Sequence, residues 1–213
     1  MTAPLIHEEQ PIIAQGSALE TARVAMILVH GRGGDARGIL PLTNHFDAEG
    51  VAYLAPSAAG NSWYPYRFLE PRERNEPYLS SALQKIGAVL DEVQAAGIPP
   101  EKTMLLGFSQ GACLALEFAA RNPQHYGGIV ALSGGLIGAE DELVGYVGSL
   151  KGTPVFLGCS DVDFHIPLDR VHETAEIFQS LGAKVDERIY PGMGHTINDD
   201  EVQAVREMLT TLL

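Results

Sequence analysis

Thr103-Met104-Leu105-Leu106-Gly107-Phe108 runs directly into Ser109-Gln110-Gly111, and then into Ala112-Cys113-Leu114-Ala115-Leu116-Glu117-Phe118-Ala119-Ala120. The first segment is short and apolar, as a buried strand is. The last is apolar nearly all round, which predicts a buried helix. Between them stands a Gly-x-Ser-x-Gly pentapeptide. A chain turning sharply from strand to helix strains the backbone at the corner, and small residues on either side let it pass closely. The corner lifts the Ser109 hydroxyl to the carboxyl end of the sheet, at a helix N-terminus that favours negative charge. A serine in an ordinary glycine turn is the bland alternative, and the flanking strand and helix argue against it.

The alternation extends in both directions. Val24 to Val29 is an apolar run ending at His30-Gly31, and Val51 to Ala55 is another, stopped by Pro56. Leu79, Leu83, Ile86, Leu90 and Val93 recur at helical spacing, with Pro77 suited to the first turn. Gly128 to Ser133 and Val155 to Leu157 read as buried strands. Pro167 to Leu181 reads as an amphipathic helix capped by Gly182. Val185 to Tyr190 is strand-like but carries Asp186, Glu187 and Arg188, which predicts a sheet edge. Val202, Val205, Leu209 and Leu212 mark a last helix. Strand and helix alternating in this way predict an α/β fold: one domain over residues 1–213, with a mainly parallel sheet and helices on both faces.

A neutral serine hydroxyl is a weak nucleophile, so it needs a base, and the base needs an orienting carboxylate. Two aspartates, Asp161 and Asp163, follow the Val155–Leu157 strand, and either is placed to serve. His195 lies in a glycine-rich loop, Pro191-Gly192-Met193-Gly194-His195, after the last strand. The order Ser, Asp, His after a strand–Ser–helix turn is that of the α/β-hydrolase fold. Attack on a carbonyl creates an oxyanion that preorganised N–H donors must stabilise. One donor is the backbone N–H of Gln110; the other is expected from the loop His30-Gly31-Arg32-Gly33-Gly34, with Arg32 best placed. That leaves the Arg32 guanidinium two courses: to reach the pocket mouth and hold a substrate carboxylate in two-pronged fashion, or, the reading favoured, to point to solvent or pair with one of the many surface carboxylates. His30 reads as a structural residue of its loop. His165 either lines the pocket or faces solvent. That glycine loop lacks the spacing of a phosphate-binding loop.

No cluster has metal-ligand spacing, so neither metal nor cofactor is expected. The net charge of -13 argues against nucleic-acid partners. No run approaches the roughly 18 apolar residues of a membrane span. Met1 to Gln10 lacks the pattern of a signal peptide, and Cys113 and Cys159 read as buried free thiols. These features predict a cytoplasmic enzyme with a small-molecule substrate and leave a homodimer open.

Two stretches bear on substrate size. Ser57 to Glu76 is irregular and aromatic, and Trp63, Tyr64, Tyr66 and Phe68 are expected to form a pocket wall with Arg67 at its rim. Gly134 to Pro154 is where a cap is commonly inserted. Its many glycines disfavour a helical cap, so the site is expected to be open and without a large lid.

Together these residues resemble the phospholipase/carboxylesterase family of small α/β-hydrolases, which includes acyl-protein thioesterases. The likeness covers nearly the whole chain from about Val24. It lies in His30-Gly31-Arg32-Gly33-Gly34, Ser62-Trp63-Tyr64, Gly107-Phe108-Ser109-Gln110-Gly111, Asp163-Phe164-His165-Ile166-Pro167 and Gly194-His195. The resemblance implies a catalytic set of Ser109, Asp163 and His195, favouring Asp163 over Asp161. It also implies an oxyanion hole at Arg32 and Gln110, and substrate contacts at Trp63, Tyr64 and His165. The implied activity is hydrolysis of small to medium carboxylic esters through an acyl-enzyme. A thioesterase or lysophospholipase with the same machinery is the alternative, and a silent binding protein on this scaffold is a third. Thioesterase members typically carry Leu where this chain has Arg32, and Trp63 to Phe68 is polar for an acyl groove. Both differences argue for a bacterial carboxylesterase-like branch.

Overall fold

The computed structural model describes residues 5–213. Seven strands form one sheet: β1 (Ile12–Gly16), β2 (Val24–Val29), β3 (Val51–Pro56), β4 (Thr103–Phe108), β5 (Gly128–Leu132), β6 (Pro154–Ser160) and β7 (Lys184–Tyr190). Their spatial order is β1-β3-β2-β4-β5-β6-β7, with β1 antiparallel to β3 and every other pairing parallel. The continuous apolar runs are the inner strands, buried on both faces, as parallel strands flanked by helices must be. The charged strand β7 lies at one edge, as its composition predicts. The other edge, β1, has no counterpart in the sequence reading. The expected single domain begins at Met1, and residues 1–4 lie outside the described region, as does part of the Met1–Gln10 segment.

The helices are α1 (Ala36–Ile39), α2 (Tyr78–Ala95), α3 (Gln110–Arg121), α4 (Leu168–Ser180) and α5 (Asp199–Leu212). Side chains of α2, α3 and α4, among them Ile86, Leu114 and Phe178, bury one face of the sheet. Ala36 and Ile39 of α1, with Val205 and Leu209 of α5, bury the other. The segment between β5 and β6 holds only a single 3-10 turn, Glu140–Glu142, so no large cap covers the sheet.

Helix α3 starts at Gln110, two residues before the apolar run that predicts it. The reason is the corner. Ser109 adopts φ 55°, ψ −119°, outside both helix and strand regions. To make that turn, α3 comes hard against β2 and β4. A Cβ on Gly111 would lie 2.0 Å from the Val29 carbonyl oxygen, and one on Gly107 would lie 2.2 Å from the Gly111 carbonyl oxygen. Both positions therefore admit only glycine.

Candidate active site

The strand ends bring the site together. Ser109 follows β4, Asp163 follows β6 and His195 follows β7, all at the carboxyl edge of the parallel sheet. The His195 Nε2 lies 2.8 Å from Ser109 Oγ, and its Nδ1 lies 2.6 Å from Asp163 Oδ2. The second carboxylate oxygen, Oδ1, accepts the backbone N–H groups of His165 at 2.8 Å and Ile166 at 3.2 Å. This explains the Asp-x-x-Ile-Pro spacing: the carboxylate folds its own loop before it reaches the histidine. Burial alone would raise the Asp163 pKa. Hydrogen bonds from His195 and these N–H groups, with the attraction of His195, outweigh it and hold the carboxyl below its ordinary value.

Asp161 has a different role. Its Oδ1 accepts the Gly192 N–H at 2.7 Å, and Ser160 Oγ accepts the Gly194 N–H at 3.0 Å. The end of β6 thus holds the loop that carries His195. The ring itself is packed between Phe108, 5.2 Å away between centroids, and the edge-on ring of His165 at 4.7 Å.

The loop between β2 and α1 passes beside the nucleophile; a Cβ on Gly31 would lie 3.3 Å from Ser109 Cβ. In it the Gly33 N–H goes to Asn61 O and the Gly34 N–H to Gly31 O. Among the described residues, the N–H groups of Arg32 and Gln110 have no such partner. His30 is structural, as expected. It is buried, its Nε2 accepts the Ala58 N–H at 3.1 Å, and its Nδ1 faces Gly31 O at 2.8 Å. That pattern requires a neutral ring, and burial lowers its pKa accordingly.

A cavity of about 570 Å³ opens beside Ser109. Its walls include Tyr64, Tyr66, Arg67 and Phe68 on one side and Phe108, His165 and Ile166 on the other. Cys113 lies in the wall too. Burial pushes its thiol pKa up to about 12, so it stays protonated and is no rival nucleophile.

Two expectations need correction. Trp63 does not line this cavity. It is fully buried, with its indole N–H donated to His30 O at 2.9 Å and its ring against His30 and His7. It supports the pocket wall from behind, since a buried indole must place its N–H on an acceptor. The Arg32 guanidinium neither stands free at the mouth nor pairs with a carboxylate. It donates to Ser62 Oγ at 3.1 Å, Pro65 O at 2.9 Å and Tyr66 O at 2.7 Å.

Three supporting side chains had no signature in the sequence. Gln110 accepts the Trp63 N–H through Oε1 at 2.9 Å and donates to Tyr64 O through Nε2 at 2.8 Å, tying the wall to the nucleophile turn. His7 joins Trp63 O to the Ala59 N–H. Asn75 accepts the Tyr66 N–H and donates to Arg67 O. Gln110 and His7 are identified only by contacts between segments distant in sequence, and Asn75 only by the way its own loop folds back. Among the described residues no three His, Cys, Asp or Glu side chains form a metal-ligating group, and no helix is long and apolar enough to cross a membrane.

A serine on a strand–helix corner, faced by a histidine and an aspartate from later strands of a parallel sheet, defines an α/β-hydrolase. The model of the phospholipase/carboxylesterase family matches residues 9–213, and the chain belongs to that family. It is a hydrolase of carboxylic esters. It is similar to a probable carboxylesterase, SOBER1-like, of Arabidopsis thaliana, at 26% identity over 207 residues, covering 88% of this chain and 78% of that one. An acyl-protein thioesterase 1 of Debaryomyces hansenii is 25% identical over 226 residues, 95% of this chain and 97% of its own. Among solved structures, a phospholipase/carboxylesterase from Dyadobacter fermentans superposes with a TM-score of 0.92 at 43% identity, covering 95% of this chain and 97% of that one.

Proposed function

We propose that Ser109 attacks the ester carbonyl, with His195 as general base and Asp163 as the group that orients it. The observation that carries this is the unbroken chain Ser109 Oγ–His195 Nε2, His195 Nδ1–Asp163 Oδ2, at 2.8 and 2.6 Å, opening on the cavity. His195 takes the hydroxyl proton as the Oγ–carbon bond forms. Asp163 keeps the imidazole turned and stabilises its cation. The tetrahedral oxyanion is held by the N–H groups of Arg32 and Gln110, the second at the N-terminus of α3. His195 then gives its proton to the leaving alcohol, which departs and leaves an acyl-Ser109. Water, activated by the same histidine, releases the acid. Tyr64 and His165 contact the substrate, which is small to medium in size.

Fluorophosphonate labelling, with turnover of 4-nitrophenyl butyrate, tests this. Ser109→Ala should abolish both, and His195→Ala should abolish nearly all turnover. The double variant should be barely worse than either single one, because the set acts as a unit. Labelling at another residue would overturn the assignment.

A thioesterase activity is the second reading, favoured by the acyl-protein thioesterases among the relatives. Rates on matched oxygen and sulfur esters separate the two.

A further inference from the structure

We infer that the cavity beside Ser109 is built to take an ester carrying a second, anionic group, and that Arg67 is the residue that selects it. The inference rests on the ester-hydrolase reading above and names its substrate class.

The backbone of the cavity wall is tied down, and one side chain on it is not. The buried Asn75 side chain accepts the Tyr66 N–H at 2.9 Å and donates to Arg67 O at 3.1 Å, gripping the backbone on both sides of the Tyr66–Arg67 peptide. Arg32 holds the Pro65 and Tyr66 carbonyls, and Gln110 holds Tyr64. Phe68 is buried. The backbone that presents Arg67 is thus fixed from three directions. Arg67 is exposed and lines the cavity, and its guanidinium has no carboxylate partner among the described residues.

The chain has 27 acidic and 14 basic residues. Arg72, Arg74, Arg121, Arg170 and Arg188 each find a carboxylate. Arg23, Arg32, Arg37, Arg67 and Arg206 have no Asp or Glu partner among the described residues, and of these five Arg32 and Arg67 line the cavity. Arg32, also in the wall, has only neutral acceptors, so its charge is uncompensated as well. The one acid in the wall, Glu70, is paired with Arg74 at 2.6 Å. Among the residues that line the cavity, Arg32 and Arg67 have no carboxylate partner, and the one acid, Glu70, is already paired. A guanidinium with free N–H edges matches a carboxylate held in two-pronged fashion. Two such cations attract an anionic group locally, on a protein whose net charge otherwise repels it.

The carboxylate sits on either the acyl or the alcohol part, and two pairs of esters separate these. The acyl arm compares mono-4-nitrophenyl adipate with 4-nitrophenyl hexanoate; the alcohol arm compares 4-acetoxybenzoate with its methyl ester. The quantity read is the ratio of kcat/KM, anionic over neutral, so that the neutral ester corrects for any loss of folded enzyme. In one arm the ratio should exceed that of the other and fall about tenfold in Arg67→Gln, as expected for loss of a charge-assisted hydrogen bond. Lys151→Gln, which removes an equal charge from an exposed turn away from the cavity, should leave it unmoved. A ratio unchanged by Arg67→Gln in both arms, or lowered as much by Lys151→Gln, overturns the inference while neutral-ester turnover leaves the ester-hydrolase reading standing. No turnover of any of the four esters overturns both.

Discussion

Asp161 Oδ1 accepts the Gly192 N–H at 2.7 Å, while Asp163, two residues on, reaches His195 Nδ1 at 2.6 Å. The two carboxylates that follow β6 therefore have separate roles, since Asp161 holds the loop and Asp163 holds the ring. Asp163→Asn should lower kcat by on the order of 10⁴, because an amide favours the wrong imidazole tautomer and leaves the imidazolium unstabilised. Asp161→Asn keeps an oxygen for Gly192 and should cost less than about tenfold, the scale of one weakened hydrogen bond at an exposed site. Steady-state rates of the two variants decide the matter, and the reverse ranking would reverse the assignment.

Arg32→Leu removes the group that gathers Ser62, Pro65 and Tyr66. Its backbone N–H remains, so the proposed oxyanion donor survives. The expected consequence is a looser wall: KM rises for neutral esters by roughly three- to tenfold, the loss of a few hydrogen bonds partly replaced by water, and rises further for anionic esters, which also lose one of the two cations in the wall. kcat should change little by comparison. A collapse of kcat with KM unaltered would mean that the side chain serves the transition state and not the wall.

Glu201 gives a prediction on stability. It is fully buried near the start of α5, its Oε2 accepting the Asn198 N–H at 2.8 Å and its Oε1 without a partner. Burial pushes its pKa up to about 7, from an ordinary value of 4.5. Between those values the folded protein binds more protons than the unfolded one, so this group favours folding below about pH 4.5 and loses that contribution as pH rises through about 7. The scale is on the order of 1 to 3 kcal/mol. Glu201→Gln stays neutral and keeps an acceptor for Asn198. Its Tm relative to the native protein should therefore rise between about pH 5 and about pH 8. Thermal melts at both values check this, and a difference flat with pH would place the titration elsewhere.

These residues also mark where the sequence was informative. The inner strands and the turn at Ser109 were legible because burial on both faces and a steric corner each leave a local imprint. Asp163 needed its spacing to Ile166-Pro167, whose physical basis is the carboxylate capping its own loop. β1 left no imprint. It is an edge strand of five half-exposed or exposed residues, with little apolar pattern to read. Trp63 misled for a related reason. In an irregular loop no periodicity tells which aromatic faces the cavity, and only the contact with His30 O fixes it behind the wall. Gln110 was recognised for its backbone N–H alone; its side chain acts across 47 residues of sequence, on Trp63.

Substrate size follows from what covers the site. The segment from Gly134 to Pro154 contributes only the 3-10 turn Glu140–Glu142, and the cavity wall is the loop Tyr64–Phe68, fixed by Arg32, Gln110 and Asn75. A wall held this firmly does not open further for a long chain. The cavity of about 570 Å³ is also exposed along one side, where Tyr66 and Arg67 reach solvent. A short acyl group buries most of its carbons there. Beyond a few carbons, each further methylene stays in water and gains none of the roughly 0.8 kcal/mol that burial brings. Along a series of 4-nitrophenyl esters, kcat/KM should rise over the first few carbons and then level off or fall. With no lid to displace, the rate should not jump when substrate forms micelles. A steady climb toward long acyl chains, or such a jump, would show a lipid groove that these walls do not provide.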